Sequence, residues 1–209
     1  MSYKNYVLGV LLLVSSSIVA QITVGTGFIA NNMSEGAPMD NNMAISNAGV
    51  ILSVDNTRYE TYTSAGTMIA TIKYYSFYKN KGTPSIVLDT SVYSTFDPKC
   101  LYDSYNDRFV LVALVKDTAN HNSSLLISFS TTNRPDSTWY HYQIKARDIY
   151  GVDTLWIDYP SIAINKNELF LSFQAFSSTS AGGKKNGLLQ IKNKMGTMVF
   201  RSRNEYTKT

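Results

Sequence analysis

Short apolar runs alternate with polar turns along most of the chain, and three such stretches can be aligned. They read MAISNAGVILSVDN from Met43, CLYDSYNDRFVLVALV from Cys100 and IAINKNELFLSFQAF from Ile162. Each has an apolar run, then a turn rich in Asn, Asp or Gly, then a run of alternating apolar and polar residues, which predicts a β-hairpin. The turns centre near Ala48, Asp107 and Asn167, so the hairpins recur at spacings of 59 and 60 residues.

Two further strands are predicted after each hairpin. The third strands are expected at Thr57–Thr63, Ser124–Ser130 and Gly187–Lys192. The fourth strands are expected at Thr67–Ile72, Thr138–Ile144 and Thr197–Arg201. Four antiparallel strands repeated at a constant period are typical of a β-propeller blade, and a β-sandwich of the same strand count is the alternative. No stretch has helical periodicity with caps, so the sequence predicts an all-β fold.

The repeat divides the chain into blades at roughly 37–95, 96–155 and 156–209, after a leader or linker at 21–36. Propellers close with about four to eight blades. The sequence therefore predicts an incomplete β-propeller of about three four-stranded antiparallel blades. The simplest interpretation is that the chain is the N-terminal part of a longer protein or a truncated gene product. Its expected partners are then the missing blades, from the same or a longer chain.

Residues 1–20 have the pattern of a secretory signal peptide. Lys4 supplies the positive charge, Val7–Val14 is a short apolar core, and Ser15–Ala20 is a run of mostly small residues. The apolar run is shorter than the roughly 20 residues that a bilayer-spanning helix needs, and no other segment is apolar enough to span a membrane. We therefore expect an exported protein, secreted or held at the cell surface.

Composition agrees with an exported β protein and argues against nucleic-acid binding. Tyr is abundant at 15 residues, and such aromatic enrichment favours strands. The single cysteine, Cys100, excludes an intramolecular disulfide and is expected to be a buried, inert thiol. Seven of the 19 Lys and Arg residues lie at or after Lys184. That basic tail has few aromatic side chains, so it does not have the stacking platforms of a nucleic-acid groove.

Four longer stretches carry a family resemblance: PMDNNMAISNAGVILSVDN, FDPKCLYDSYNDRFVLVAL, LLISFSTTNRPDSTWYHY and WIDYPSIAINKNELFLS. With these pieces and its N-terminal signal, the chain resembles the exported β-propeller proteins of Bacteroidetes-type bacteria, which often carry a sorting domain for type IX secretion. The family is largely uncharacterised. The resemblance therefore implies architecture and export rather than a reaction.

Asp40, Asp97 and Asp158 are the candidate metal ligands, at spacings of 57 and 61 residues. Each precedes the predicted first strand of a unit, and the first strand of a propeller blade lines the axis. The three carboxylates would then surround one mouth of the channel and could hold Ca²⁺, which prefers oxygen ligands. The alternative is that each Asp forms an Asx turn at the entry to its strand.

Other motifs point to structure rather than chemistry. Asp103, Asp107 and Arg108 flank the turn of the second hairpin, where support of the turn is the favoured role. His141 lies between two Tyr residues in a predicted edge strand, and nothing in the sequence assigns it to a catalytic triad. No catalytic and no cofactor-binding residue is assigned.

Two functions are consistent with these features. The first is an exported, non-catalytic binding, adhesion or structural module that takes a glycan or protein ligand at the blade surface. The alternative is an extracellular polysaccharide hydrolase or lyase that uses acids near the axis, such as Asp97 and Asp158. The enzyme requires these acids to converge in a pocket with perturbed pKa values.

Overall fold

The computed structural model describes residues 25–31, 38–117, 122–151, 155–177 and 185–192. The predicted signal peptide, His121 and the predicted strand Thr197–Arg201 lie outside these described residues.

Three antiparallel sheets form most of the described chain. The first sheet has the order β1 (Asn42–Ile45), β2 (Val50–Val54), β3 (Arg58–Thr63) and β4 (Met68–Lys73). The short helix α1 (Tyr74–Asn80) then leads to the second sheet, which comprises β5 (Gly82–Thr83), β6 (Tyr93–Asp103), β7 (Arg108–Asp117), β8 (Asn122–Ser130) and β9 (Trp139–Lys145). Helix α2 (Ala146–Tyr150) leads to the third sheet, which comprises β10 (Leu155–Ile164), β11 (Glu168–Ser177) and β12 (Lys185–Lys192).

The strand pairing confirms an all-β fold of mainly antiparallel sheets; among the described strands, β5 pairs in parallel, with β9. Within each sheet, consecutive long strands are neighbours, and the predicted hairpin turns occur between β1 and β2, β6 and β7, and β10 and β11. Gly49 and Asp107 adopt positive φ angles of 73° and 51° in the first two of these turns. Gly, Asn and Asp adopt this left-handed conformation most readily. The described strands form three sheets rather than the two of a β-sandwich.

The two helices and β5 are absent from the sequence prediction. Each helix follows the last long strand of a sheet, is at most seven residues long and has no side-chain cap at its N-terminus. Tertiary packing stabilises α1, because Tyr74, Phe77 and Tyr78 are buried on one side of it. Such a short helix leaves too few turns for a periodic pattern in the sequence.

The second sheet packs in the middle, with one hydrophobic core on each face. Strand β7 contributes alternate residues to the two cores, as a strand buried on both faces must. Val110, Val112 and Leu114 lie in the core shared with the third sheet. Phe109 and Leu111 lie in the core shared with the first sheet and α1. Burial on both faces explains why β7 reads as a nearly continuous apolar run.

The segment predicted as a leader lies against the first sheet where it is described. The Phe28 ring packs on Tyr62 with 5.3 Å between ring centroids. Asn31 is buried, and its backbone N–H donates to Glu60 Oε2 over 3.0 Å. Residues 25–31 therefore differ from a loose linker, because an aromatic contact and a buried hydrogen bond hold them.

The predicted burial of Cys100 is confirmed. Its side chain lies in the core between the first two sheets, with Sγ 3.8 Å from the Leu52 carbonyl oxygen. Burial raises the pKa of the thiol well above its usual range. A thiol that stays protonated is a poor nucleophile.

Candidate functional site

The first long strands of the three sheets, β1, β6 and β10, come together. Strand β6 contacts both β1 and β10. Residues at matching positions of these strands therefore lie close to one another, although about 60 residues separate them in sequence. This region, which we call the aspartate rim, contains Asp40, Asp97 and Asp158.

Two of these strands contain the same irregularity. In β6 the pairing shifts between Phe96 and Lys99, so Asp97 and Pro98 form a bulge. In β10 it shifts between Asp158 and Ser161, so Tyr159 and Pro160 form the matching bulge. Proline suits a bulge because it has no N–H group to donate to the ladder.

The first residue of each bulge has a left-handed backbone, with φ of 47° at Asp97 and 51° at Tyr159. Asp40, just before β1, has φ of 41°. The structural counterparts are therefore Asp40, Asp97 and Tyr159, and Asp158 lies one position earlier. This corrects the sequence alignment of the three aspartates. It also corrects their placement, since Asp97 and Asp158 lie inside strands.

The three carboxyl groups nevertheless interact. Partial burial, a hydrogen bond with the Asp158 side chain, and the charges of Asp158 and Asp40 raise the pKa of Asp97 to about 6. A hydrogen bond from the Tyr159 backbone acts in the opposite direction. Two adjacent carboxylates repel each other, so Asp97 keeps its proton to a higher pH than an isolated aspartate does.

Asn56, in the turn between β2 and β3, connects the first sheet to Asp97. Its Nδ2 donates to Asp40 Oδ2 and to the Pro38 carbonyl, both over 2.9 Å. Its Oδ1 accepts the backbone N–H of Asp97 over 2.8 Å. Sequence reasoning missed Asn56, because Asn in a turn is normally explained by the turn itself. Only the pairing of the sheets shows that its side chain bridges Asp40 and Asp97.

The rim therefore combines one exposed and two half-buried aspartates with a bridging amide. Within the described residues, no group of three or more His, Cys, Asp or Glu side chains has the arrangement of a metal site. Asp40 already accepts a hydrogen bond from Asn56, and Asp97 shares one with Asp158. Calcium binding by Asp40, Asp97 and Asp158 remains a prediction.

His141 is buried in the core rather than exposed on an edge strand. Strand β5 pairs outside β9, and both His141 and Ser128 have no solvent-exposed surface. His141 Nδ1 lies 2.9 Å from Ser128 Oγ, and its ring packs against Phe77 and Tyr78. Burial lowers the pKa of His141 to about 4. This neutral Ser–His pair is inaccessible to a substrate, so its role is structural.

The residues around the second hairpin stabilise its turn. Asp103 Oδ1 accepts the backbone N–H groups of Tyr105 and Asn106 over 3.2 and 3.3 Å. Arg108 Nε lies 3.8 Å from Asp103 Oδ2. Asp107 accepts a hydrogen bond from Asn133 Nδ2 over 2.9 Å. These contacts support the structural role expected for Asp103, Asp107 and Arg108.

The chain matches no protein-family model, and a search of curated proteins found no similar sequence. The family resemblance therefore remains a prediction. Of the helices in the described part of the chain, none is long and apolar enough to cross a membrane.

Proposed function

We propose that the protein is an exported, non-catalytic binding or adhesion module with an incomplete β-propeller architecture. Three features support the architecture: the sheets are meanders, they pack in chain order, and β6 contacts the first strands of both other sheets. Blades arranged around an axis have this relationship. Since propellers include enzymes as well as binding proteins, the argument for binding must come from the site.

The convergence of Asp40, Asp97 and Asp158 from three sheets carries the proposal of a binding surface. These side chains are polar, one exposed and two half-buried, and hydrogen bonds with Asn56 orient two of the three segments. A rigid set of acceptors at a rim suits the hydroxyl groups of a glycan or the donor groups of a protein. Sites formed where several repeats meet are common in repeat proteins.

A second candidate function is cleavage of polysaccharide, by hydrolysis or by a lyase reaction. The specific observation in its favour is the raised pKa of Asp97 beside Asp158. Carboxyl pairs with one raised pKa serve as general acids and bases. Binding ranks first because Asp97 has a structural role as well: it occupies a left-handed bulge position, and its backbone N–H is bonded to Asn56.

One experiment separates the two functions. The purified chain is incubated with a panel of polysaccharides and proteins, and both retention on the ligand and release of reducing or unsaturated sugar ends are measured. We expect retention without product. Product formation that is lost in both Asp97→Asn and Asp158→Asn would establish the enzyme instead.

Export is proposed from the N-terminal sequence alone. The mature protein should begin at or close to Gln21, because cleavage is expected after Ala20. Mass spectrometry of the protein recovered from its native cells tests this. Recovery only from the cytoplasm, with Met1 retained, would contradict export.

A further inference from the structure

Two adjacent surface cavities flank Tyr75 on α1. One has a volume of about 500 Å³ and the other about 290 Å³, and both are lined by Lys73 and Tyr75. We call the combined depression the Tyr75 groove. The larger cavity extends to Arg58, Asn80 and Lys81, and the smaller one extends to Asn56 and Thr95. The groove thus leads from α1 towards Asn56, which is hydrogen-bonded to two residues of the aspartate rim.

The fold presents the Tyr75 ring in a defined position. Its neighbours Tyr74, Phe77 and Tyr78 are buried and fix the helix against the core, whereas Tyr75 is 46% exposed. A tyrosine offers a large, rigid, amphipathic surface at a small cost in conformational entropy. An exposed ring between two cavities is a suitable platform for the apolar face of a sugar, with the second cavity available to the next residue of a chain.

The polar lining of the groove determines which ligand fits. Arg58, Lys73 and Lys81 all contribute, and of the described residues that line the two cavities none is acidic. Arg58 is bonded to carboxylates behind the groove, with Nε 3.2 Å from Glu60 Oε1. Lys73 is exposed at the groove itself. Lys81 is half-buried there, and its Nζ donates one hydrogen bond to the Asp136 carbonyl oxygen over 3.4 Å, which leaves it two further donors. Cations in a concave surface raise the local concentration of anionic ligands.

Neutral hydrogen-bonding groups accompany these cations. Ser76 and Asn80 line the larger cavity, and Thr57 and Thr90 line the smaller one. Hydroxyl and amide groups around an aromatic ring can bond the hydroxyl groups of a saccharide. The volume of the larger cavity lies within the range of roughly 300–1,000 Å³ of small-molecule sites.

From these observations we infer that the Tyr75 groove binds an acidic oligosaccharide, that is, a chain of uronic acid residues. The Tyr75 ring contacts the face of one sugar, and Lys73 and Lys81 bind the carboxylates of that sugar and its neighbour. The inference depends on the proposed function only in that the chain is a binding module. This acidic ligand binds in the groove, a site separate from the aspartate rim, because the carboxylates of the rim would repel a uronate.

The test is titration of the purified chain by calorimetry with a galacturonate hexamer and with maltohexaose as the neutral control. We expect binding of the acidic hexamer that weakens as salt is raised, because exposed charges are screened. Tyr75→Ala and Lys73→Ala should each weaken binding by about tenfold or more, the effect of removing an aromatic or cationic contact at the centre of a site. Tyr75→Phe should retain most of the affinity, because it keeps the ring.

Two matched variants control for general loss of aromatic surface and charge. Tyr105 is 63% exposed on the turn after β6, and Lys166 is exposed on the turn after β10. Tyr105→Ala and Lys166→Ala should bind within about twofold of the unmodified chain, as peripheral residues do. Thermal unfolding of every variant shows that each one is folded.

Each other result overturns the inference in an identifiable way. Equal binding of maltohexaose would refute the acidic ligand class but leave a binding module. Binding that survives Tyr75→Ala and Lys73→Ala but is lost in Asp97→Asn would place the ligand on the rim, again leaving the proposed function intact. Failure of both hexamers to bind would refute the groove as a saccharide site, whereas the proposed function fails only if the wider panel of polysaccharides and proteins is also not retained.

Discussion

The carboxyl groups of Asp97 and Asp158 interact with each other, although the two residues belong to different sheets. Asp97 begins the bulge of β6 and Asp158 directly precedes the bulge of β10, two irregularities whose first residues have the same left-handed backbone conformation. Burial and the neighbouring Asp158 carboxyl group raise the pKa of Asp97 to about 6, because two adjacent carboxylates repel each other. The junction between the second and third sheets is therefore sensitive to substitution and to pH.

Substitution of Asp97 separates a structural role from a chemical one. We expect Asp97→Asn to change stability little, because the amide can donate to Asp158 and Asn tolerates the left-handed conformation. Asp97→Ala should cost about 1 kcal/mol or more, because it loses the hydrogen bond and strains the backbone at φ of 47°. Urea denaturation of the two variants measures the difference.

Equal damage from Asn and Ala would contradict this structural role and indicate that the carboxyl group itself is required. The calcium prediction is tested in the same proteins. A rise in melting temperature with added calcium that disappears in Asp97→Asn would establish a metal site at Asp40, Asp97 and Asp158.

His141 and Asp97 should affect the pH dependence of stability in opposite directions. Burial lowers the pKa of His141 from 6.5 to about 4. Between pH 4 and 6.5 the unfolded chain binds more protons than the folded chain. The contribution of neutral His141 to stability is therefore complete above pH 6.5 and is lost as the pH falls towards 4. The pKa of Asp97 is raised from 3.8 to about 6. Between pH 3.8 and 6 the folded chain binds more protons than the unfolded chain. The stabilisation from Asp97 is therefore present below pH 3.8 and is lost as the pH rises to 6.

In the unmodified protein the two effects partly cancel between pH 4 and 6. We expect Asp97→Asn to remove one of them, so the free energy of unfolding should fall more steeply from pH 6.5 to 4 than in the unmodified chain. Asp148→Asn removes one exposed carboxylate on α2 and is the control. Urea midpoints measured across this pH range test the prediction, and parallel curves for Asp97→Asn and the unmodified chain would contradict it.

The sequence predicts those parts of the fold that depend on local patterns. The hairpin turns at Gly49 and Asp107 follow from turn chemistry. The predicted alternation of apolar and polar residues in β7 is wrong, because residues 109–115 are all buried in a strand with a core on each face. The bulges in β6 and β10 leave no signal in the two-residue pattern of a strand. Because each bulge moves the register, the sequence alignment matched Asp158 with Asp97, whereas Tyr159 is the structural counterpart.

The contacts within the site depend on how separate sheets pack, which no local pattern records. Asn56 bonds Asp40 and Asp97 because β1, β6 and the turn after β2 meet. His141 is buried because α1 and β5 cover β9. The residues next to Asn56 predict only a turn, and those next to His141 predict only an edge strand. Tertiary packing determines which side chains surround each of them.

The approach of β5 to His141 requires glycine at position 82. A Cβ atom added to Gly82 would overlap the His141 ring at Nε2, and Phe77 and Tyr78 pack against the same ring. We expect Gly82→Ala to destabilise the protein by about 1–3 kcal/mol, the usual cost of overpacking. Gly27→Ala is the control, because its added Cβ would have no atom within 4 Å. Thermal melts with similar shifts for both variants would refute this account.

The last prediction concerns Asn56, whose side chain joins the first sheet to the aspartate rim. Asn56→Ala removes the bonds to Asp40 and Pro38 and leaves the Asp97 backbone N–H without its acceptor. The expected cost is about 1–3 kcal/mol, because an unsatisfied backbone donor adds its desolvation to the lost hydrogen bonds. Asn56→Asp should be at least as damaging, since a carboxylate keeps the acceptor for Asp97 but repels Asp40.

Asn167→Ala, at an exposed position in the turn between β10 and β11, is the matched control and should cost less than about 0.5 kcal/mol. Urea denaturation gives the three values. Hydrogen exchange at the Asp97 amide gives a second, local readout, because this N–H should lose its protection in Asn56→Ala and keep it in Asn56→Asp. If the Asp97 amide exchanges equally slowly in the unmodified chain and in Asn56→Ala, Asn56 is not the residue that holds the rim. Other bonds between the first two sheets, such as that from the Cys100 backbone N–H to Asn42 Oδ1 over 2.9 Å, would then hold it instead.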